Sequence, residues 1–406
     1  MVTQTVDAPR RARVAVTVAF LIHGLITAAW VARIPQIKQE LGLSEGALGL
    51  ALLGAPVGVV LAVRSAGWAV ARFGSRAVTL ATGAAAALSL VALGASWNLG
   101  VLTGSLFLIG ATLGLMDVGM NAQGVIVERR YARPLMSGLH ASYSLGTLGA
   151  ALAGSAAAHL DVPVEVHLSV WAVLLLVLLF AGCRGLLGPS ADAPPDSPRA
   201  KADTPQTGAD PGGERPEAAS RARAGRWALA LLGVIGLCSF VGEGAMADWS
   251  AVYLRETLRA DPGVAGLGFA GFSVAMAVGR LAGDRLVARF GPVAVLRTGA
   301  LTAVLGLGAG LAAGNPAMAV LGCTLFGLGV APVAPITFSA AGNLPGVPAA
   351  TGLSRVVGVG YTGLLAGPPI IGFIAGAVGL TWALVVPVGL AGLIVLLAAA
   401  TATAGR

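Results

Sequence analysis

Long apolar segments separated by short polar loops run through almost the whole chain. A helix needs about 20 apolar residues to cross a bilayer, so each segment predicts a membrane-spanning helix. The pattern places twelve spans, at about 14–34, 46–69, 77–96, 99–126, 134–158, 166–187, 226–254, 264–287, 293–313, 317–340, 350–376 and 380–402. The strands of a membrane β-barrel alternate apolar and polar residues and rarely give such runs. We therefore predict an all-α polytopic membrane protein.

Composition and charge agree with this interpretation. The chain is 56% hydrophobic and 11% charged, with a mean hydropathy of +0.84, whereas soluble proteins carry about 25% charged residues. The formal net charge of +8 does not indicate nucleic-acid binding, because the cations lie in short loops on one side of the predicted topology. Only Arg33, Lys38, Arg255 and Arg259 fall in the opposite loops. This bias predicts a multi-pass protein of the bacterial inner membrane with both termini in the cytoplasm.

Two halves of the chain repeat each other. Ala71-Arg-Phe-Gly74 recurs as Ala288-Arg-Phe-Gly291, and Ser137-Gly-Leu139 matches Thr351-Gly-Leu353. A proline-rich polar segment between the halves cannot bury a core and predicts a disordered cytoplasmic linker. The predicted organisation is a six-helix bundle at 1–187, a linker at 188–225 and a second six-helix bundle at 226–406. Duplicated bundles are the architecture of alternating-access carriers.

Asp117 lies deep inside the fourth predicted span. An ionisable group there costs roughly 2.5–3.5 kcal/mol or more if it faces lipid, so we expect it to face protein or a water-filled cavity. Helical spacing places it on one stripe with Gly110, Gly114, Asn121 and Glu128. Two interpretations stay open. Asp117 either hydrogen-bonds a neighbouring helix in a purely structural role or binds a proton or substrate.

Other polar residues inside the predicted spans are candidate solute contacts. His23 shares a helical face with Trp30, and His140 shares one with Tyr143. Imidazole and hydroxyl groups at this spacing suit a polyol, and they equally suit hydrogen bonds between helices. Glu243 in the seventh span either faces a central cavity with His23 or belongs to a structural ion pair.

The two halves, the linker and the repeated loops resemble the major facilitator superfamily over nearly the whole chain. In the loop after the second span, Gly67, Arg72, Gly74 and Arg76 match the signature of that family. Ala71 stands where the family has Asp, so whether this loop forms the family's ionic latch is open. We expect the equivalent loop of the second half to supply part of it, through Asp284 and Arg289.

Finer features resemble the fucose-permease-like bacterial branch of the superfamily. They are Asp117 with Asn121, the Glu128-Arg-Arg130 segment, His140 and the segment Glu243-Gly-Ala-Met-Ala-Asp-Trp249. The resemblance implies proton-linked uptake of a sugar or similar polar solute. It also implies contact between the eleventh span and the fourth, which makes Asp117 or Glu128 the expected partner of Arg355.

The sequence therefore predicts a proton-coupled secondary transporter of a small, sugar-like solute. Its partners are expected to be the solute, protons and the bilayer, and we expect a monomer without nucleic acid. The proton-coupling residues are predicted to be Asp117, Glu128 and Arg355. No nucleotide-binding loop, nucleophile–base set or metal-ligand cluster occurs, so we expect no enzyme, cofactor or metal. The alternatives are a proton-driven exporter of drugs or metabolites and a sensor that binds solute without moving it.

Overall fold

A computed structural model describes residues 7–43, 45–192, 215–260 and 262–404. Within these ranges the regular elements are helices, with no strand. Ten helical segments are long and apolar enough to cross a membrane. The fold class predicted from the hydropathy pattern is thus confirmed. Most of the predicted linker, residues 193–214, lies outside the described residues, but its last part, residues 215–225, forms the start of a helix and not a disordered segment.

In the described part of the first half, the chain forms eight α-helices. They are α1 (Asp7–Ala28), α2 (Ile34–Glu40), α3 (Glu45–Leu52), α4 (Gly54–Phe73), α5 (Ser75–Gly94), α6 (Leu99–Tyr131), α7 (Met136–His159) and α8 (Val164–Gly182). The second predicted span is divided between α3 and α4. A short 3-10 turn, Val31–Arg33, and α2 follow the first span, where the sequence predicted only a loop. Pro189–Asp192, at the start of the predicted linker, forms another 3-10 turn.

The described residues of the second half form another eight α-helices. They are α9 (Arg215–Val252), α10 (Pro262–Phe290), α11 (Pro292–Ala313), α12 (Pro316–Val330), α13 (Val333–Gly342), α14 (Ala349–Val378), α15 (Leu380–Ala383) and α16 (Val385–Leu397). The tenth predicted span is divided between α12 and α13. Helices α7 and α10 occupy the places of the fifth and eighth predicted spans.

Contacts between residues divide the chain into two compact units. The first comprises residues 1–131, 139–193 and 349–354, and the second comprises 132–138, 194–348 and 355–406. The first residues of α7 therefore group with the second unit, and the first residues of α14 group with the first. These two segments overlap the repeated sequences Ser137-Gly-Leu139 and Thr351-Gly-Leu353.

Glycines let the helices of the first unit approach closely. A Cβ on Gly114 of α6 would lie 3.2 Å from the Cα of Val59 on α4. A Cβ on Gly24 of α1 would overlap the carbonyl oxygen of Tyr143 on α7. Because association of membrane helices relies on close packing rather than on expulsion of water, these small residues determine which helices surround Asp117.

Candidate functional site

A carboxylate is buried in the middle of α6. The side chain of Asp117 is 6% exposed. One turn further along the helix, Nδ2 of Asn121 donates to Oδ1 of Asp117 at 3.0 Å and to the backbone oxygen of Asp117 at 2.8 Å. Oδ2 of Asp117 and Oδ1 of Asn121 are buried and have no hydrogen-bond partner among the described residues. The pair therefore has one acid oxygen and one amide oxygen still able to accept a hydrogen bond.

His23 of α1 lies beside the same stretch of α6. Its Nε2 is 3.2 Å from the carbonyl oxygen of Leu113, one helical turn before Asp117. A ring nitrogen facing a carbonyl oxygen must carry the proton, so Nδ1 of the neutral ring is an acceptor. Nδ1 is buried and has no partner in the described part of the chain. His23 thus adds a third unused acceptor near the acid.

Helix α7 brings the other predicted residues of the first unit to α1. The ring of Tyr143 lies 5.4 Å from that of His23, and the ring of His140 lies 5.1 Å from that of Phe20. The Ser144 hydroxyl on α7 donates to the carbonyl oxygen of His140, in its own helix. The structure therefore brings together residues of α1 and α7 that the sequence named separately as candidate solute contacts. Trp30 is half-buried in the turn that follows α1.

Glu243 of α9 forms an ion pair in the second unit. Its Oε2 lies 3.6 Å from Nη2 of Arg280 on α10, and Ser239 donates to its Oε1 at 3.0 Å. Of the two interpretations that the sequence left open, the structure shows the ion pair. The sequence analysis did not identify Arg280 as the partner. The sequence feature that indicates such a partner is the position of Arg280 inside the eighth predicted span, where a guanidinium needs an anion.

Glu128 and Arg355, two members of the predicted proton-coupling group, differ in their exposure to solvent. Glu128 is 2% exposed near the end of α6, whereas Arg355 is exposed near the start of α14. Glu128 and Asp117 belong to the first unit and Arg355 to the second. The pairing of Arg355 with either acid therefore stays a prediction.

The helices that precede the two repeated signature loops carry different residues at matching positions, Gly67 in the first half and Asp284 in the second. Asp284 on α10 accepts hydrogen bonds from the backbone nitrogens of Ser137 and Gly138, at 2.8 and 2.7 Å, in the first turn of α7. On α4, a Cβ on Gly67 would lie 2.9 Å from Oγ of Ser354 and 3.4 Å from Cα of Thr351, in the first turns of α14. Asp284 thus caps a helix, while Gly67 lets a helix pack directly against its backbone.

The remaining predicted loop residues surround these contacts. Arg72, Arg76 and Arg289 are exposed. Arg72 and Arg289 stack over the adjacent phenylalanine rings, at 5.8 and 5.2 Å. Gly74 adopts a φ of 85°, which favours glycine because a Cβ is strained there. These features shape the loop and leave its cations accessible.

A second capping acid, which the sequence analysis missed, supports the first signature loop. Oδ2 of Asp192 accepts from the backbone nitrogen of Ser75 at 3.0 Å, at the start of α5. Gln123 of α6 holds the adjoining chain through both backbone groups of Leu187, at 2.9 Å each. Burial raises the pKa of Asp192, and the bonds from Ser75 oppose this shift. The proline-rich composition around Asp192 concealed this contact.

An apolar groove of about 420 Å³ lies in the second unit, between α10, α11 and α12. Its lining includes Leu286, Phe290 and Thr298. None of the predicted solute contacts lines it, so it is distinct from the polar cluster around Asp117. In the described ranges, no group of three or more acidic, histidine or cysteine side chains is arranged to hold a metal ion.

Comparison with known proteins gives relatives along almost the whole chain, although no family model matches it. An uncharacterised MFS-type transporter of Yersinia pestis is 36% identical over 363 residues, which cover 89% of this chain and 88% of that protein. The membrane protein MosC of Rhizobium meliloti is 32% identical, over 91% of this chain and 85% of the relative.

Solved structures show the same fold at low sequence identity. The transporter FucP in its outward conformation gives a TM-score of 0.73 at 16% identity, covering 95% of this chain and 97% of that one. The proton:xylose symporter XylE gives a TM-score of 0.69 at 15% identity, over 96% of this chain and 95% of that one. At these identities the likeness concerns the fold alone.

Proposed function

Because this chain belongs to the major facilitator superfamily of membrane transporters, we propose that it moves a small, sugar-like polar solute by alternating access, coupled to protons. The protein is a multi-pass membrane transporter and not an enzyme. The solved relatives include a fucose:proton symporter and a proton:xylose symporter. Their substrates and coupling ion motivate the choice of solute and of protons for this chain.

The observation that carries the proposal is the unshared oxygen of Asp117. Oδ1 is held by Asn121, and Oδ2 has no donor in the described part of the chain. A buried ionised carboxylate without a cationic partner costs several kcal/mol. Binding a proton at Oδ2 removes the charge, and a hydrogen bond from a solute hydroxyl lowers the cost of keeping it buried. Asp117 is therefore our candidate for the group that exchanges its proton as the solute binds and leaves.

The polar groups near Asp117 suit a polyhydroxylated solute. Oδ1 of Asn121 and Nδ1 of His23 are unused acceptors, and each hydroxyl of a sugar is a donor. The ring of Tyr143 beside His23 offers a flat apolar face, which suits the C–H face of a sugar ring. We assign His140 and Trp30 to the same solute path. Glu243 of the second unit is a further candidate solute contact, and its ion pair with Arg280 holds the carboxylate in place.

Transport direction and driving force are tested together in proteoliposomes. Purified protein is reconstituted, an inward proton gradient is imposed, and uptake of radiolabelled fucose, xylose and related polyols is followed. The proposal predicts uphill uptake of at least one polyol that a protonophore abolishes. A sensor would bind solute in a thermal-shift assay without any flux. An exporter would move a hydrophobic compound against the gradient and leave all polyols behind, and either result would overturn the proposal.

The topology belongs to the same proposal. We assign both termini to the cytoplasm of a bacterial cell and treat the monomer as the transporting unit. Cysteine substitutions at Arg259 and Arg72, tested with a membrane-impermeant thiol reagent on intact cells, check the orientation. Labelling at position 259 and protection at position 72 are expected. The reverse pattern would invert the topology.

A further inference from the structure

Arg33 is a buried cation at the end of the first membrane helix. It closes the 3-10 turn Val31–Arg33 that follows α1, and its side chain is 2% exposed. Nη2 donates to the carbonyl oxygen of Val162. Nε and Nη1 are also buried, and neither has an acceptor among the residues that the structure describes. A guanidinium has five N–H donors, so most of its hydrogen-bonding capacity is unused here.

Among the residues that the structure describes, no carboxylate forms an ion pair with Arg33. Asp161 and Glu165 lie in the neighbouring segment, and both are exposed. Neither forms an ion pair with Arg33 in the described ranges. A buried arginine without an acid is unusual, because desolvation of an ion is costly unless an opposite charge accompanies it. The protein groups around Arg33 therefore leave one charge unbalanced.

The groups near Arg33 at the start of α8 do not supply a negative charge. Val162 lies just before the start of α8 at Val164, so the guanidinium stands beside the positive end of a helix dipole. His167, one turn into α8, is 9% exposed, and neither of its ring nitrogens has a partner in the described chain. A helix N-terminus, a buried guanidinium and an imidazole thus lie at the same end of α8 in the first unit.

We propose that this cluster, Arg33 with His167 at the start of α8, binds a small inorganic anion of the chloride class. The anion accepts N–H bonds from Nε or Nη1 of Arg33 and from a ring nitrogen of His167, and it neutralises the helix end. Nε and Nη1 of Arg33 are both buried, so we take the ligand to be a compact ion and not a lipid headgroup. The bound ion fastens the end of α1 to the start of α8. This site is separate from the polar cluster around Asp117 and does not rest on the proposed transport activity.

The first test measures the unfolding midpoint of the purified full-length protein against anion concentration. Chloride, bromide, nitrate, sulfate and phosphate each replace gluconate at constant ionic strength and pH. A ligand that binds only the folded state raises the midpoint once its concentration exceeds the dissociation constant. We expect a saturable rise of about 2–4 °C with chloride and bromide. A flat response to all five ions, or a rise produced only by phosphatidylglycerol added to the micelles, would overturn the proposal.

Variants identify the residue that responds. Arg33→Gln is expected to lose the anion-dependent rise, whereas Arg33→Lys is expected to retain it at higher anion concentration. Arg255→Gln is the matched control, because Arg255 is exposed and donates to the carbonyl oxygen of Ala260. It should respond to chloride as the wild type does. An unchanged chloride response in Arg33→Gln contradicts the assignment.

A direct measurement remains decisive if Arg33→Gln does not fold. Crystals of the wild-type protein grown in bromide should show an anomalous peak within hydrogen-bonding distance of the Arg33 guanidinium and the His167 ring. Bromide peaks confined to exposed arginines, with none at Arg33, identify adventitious ions only and reject the site.

Discussion

The two signature loops have the same sequence framework but stabilise their neighbouring helices in different ways. Asp284 lies near the end of α10, just before the second signature loop, and its carboxylate accepts from two backbone N–H groups of α7. The matching position in the first half is Gly67, near the end of α4, which packs against the first turns of α14. One copy therefore uses charge at a helix end, and the other uses close backbone contact.

The first copy, which has Gly67 at the position of Asp284, is contacted by a carboxylate from another segment of the chain. Asp192, beyond the last helix of the first half, caps α5 at Ser75, next to the positive-φ glycine Gly74. Alanine stands at the family's usual Asp position in both copies, at Ala71 and Ala288, and both alanines are exposed. The two copies therefore share a sequence framework but take their helix-capping carboxylates from different segments of the chain.

The largest effect is expected from removing the acid of the second copy. Asp284→Ala leaves two N–H groups of the α7 first turn without their charged acceptor. Hydrogen bonds to charged groups and helix caps together suggest a loss of about 2–3 kcal/mol. The unfolding midpoint in detergent should fall well below that of the wild type. Asp161→Asn, at an exposed loop position with a left-handed φ that Asn tolerates, is the control and should change little. Equal midpoints for both variants would show that the cap contributes nothing.

A smaller effect is expected from enlarging the glycine of the first copy. The branched side chain of Gly67→Val must displace Ser354 and press on Thr351, and overpacking of this kind costs about 1–3 kcal/mol. We expect a lower midpoint and a slower transport cycle. Gly104→Val is the control, because a Cβ there meets nothing within 4 Å. If both valine variants behave alike, Gly67 is not a packing position.

The smallest effect is expected at Asp192, and it depends on pH. Because the pKa of Asp192 is raised in the folded state, the folded protein holds this proton more tightly than the unfolded chain does. Stability should therefore fall as the pH rises above the ordinary aspartate value of 3.8 through the folded-state pKa. Asp192→Asn still accepts a bond from Ser75 but cannot ionise, so its midpoint should lose this part of the pH dependence. A steeper dependence in the variant would contradict the direction of the shift.

The sequence predicted the helical fold and the residues that share a face on a single helix, because both follow from periodicity. A run of apolar residues indicates a span, and helical spacing places Asp117 and Asn121 on one side of α6. Periodicity did not predict that His23 of α1 lies beside Tyr143 of α7. Contacts that depend on chain segments far apart in sequence were not predictable in the same way. Arg280 with Glu243, Asp192 with Ser75 and the environment of Arg33 each join residues whose spacing carries no period.

The acids at the signature loops and the acid of the polar cluster differ in their hydrogen-bond donors. Asp284 and Asp192 accept hydrogen bonds from backbone N–H groups at the starts of helices, so both cap helices. The Oδ1 atom of Asp117 accepts from the side chain of Asn121 in its own helix, and its Oδ2 atom has no donor in the described part of the chain. We attribute a structural role to the acids that cap helices and proton exchange to Asp117.

Asp117→Asn tests that attribution most directly, since the amide keeps the size of the side chain and removes the ionisable proton. In proteoliposomes with a transported polyol, solute uptake driven by a proton gradient is compared with exchange of labelled for unlabelled solute in the absence of a gradient. We predict that proton-driven accumulation by the variant is at least tenfold lower than that by the wild type, while exchange of labelled for unlabelled solute is retained. Uphill accumulation at the wild-type level in Asp117→Asn would contradict it.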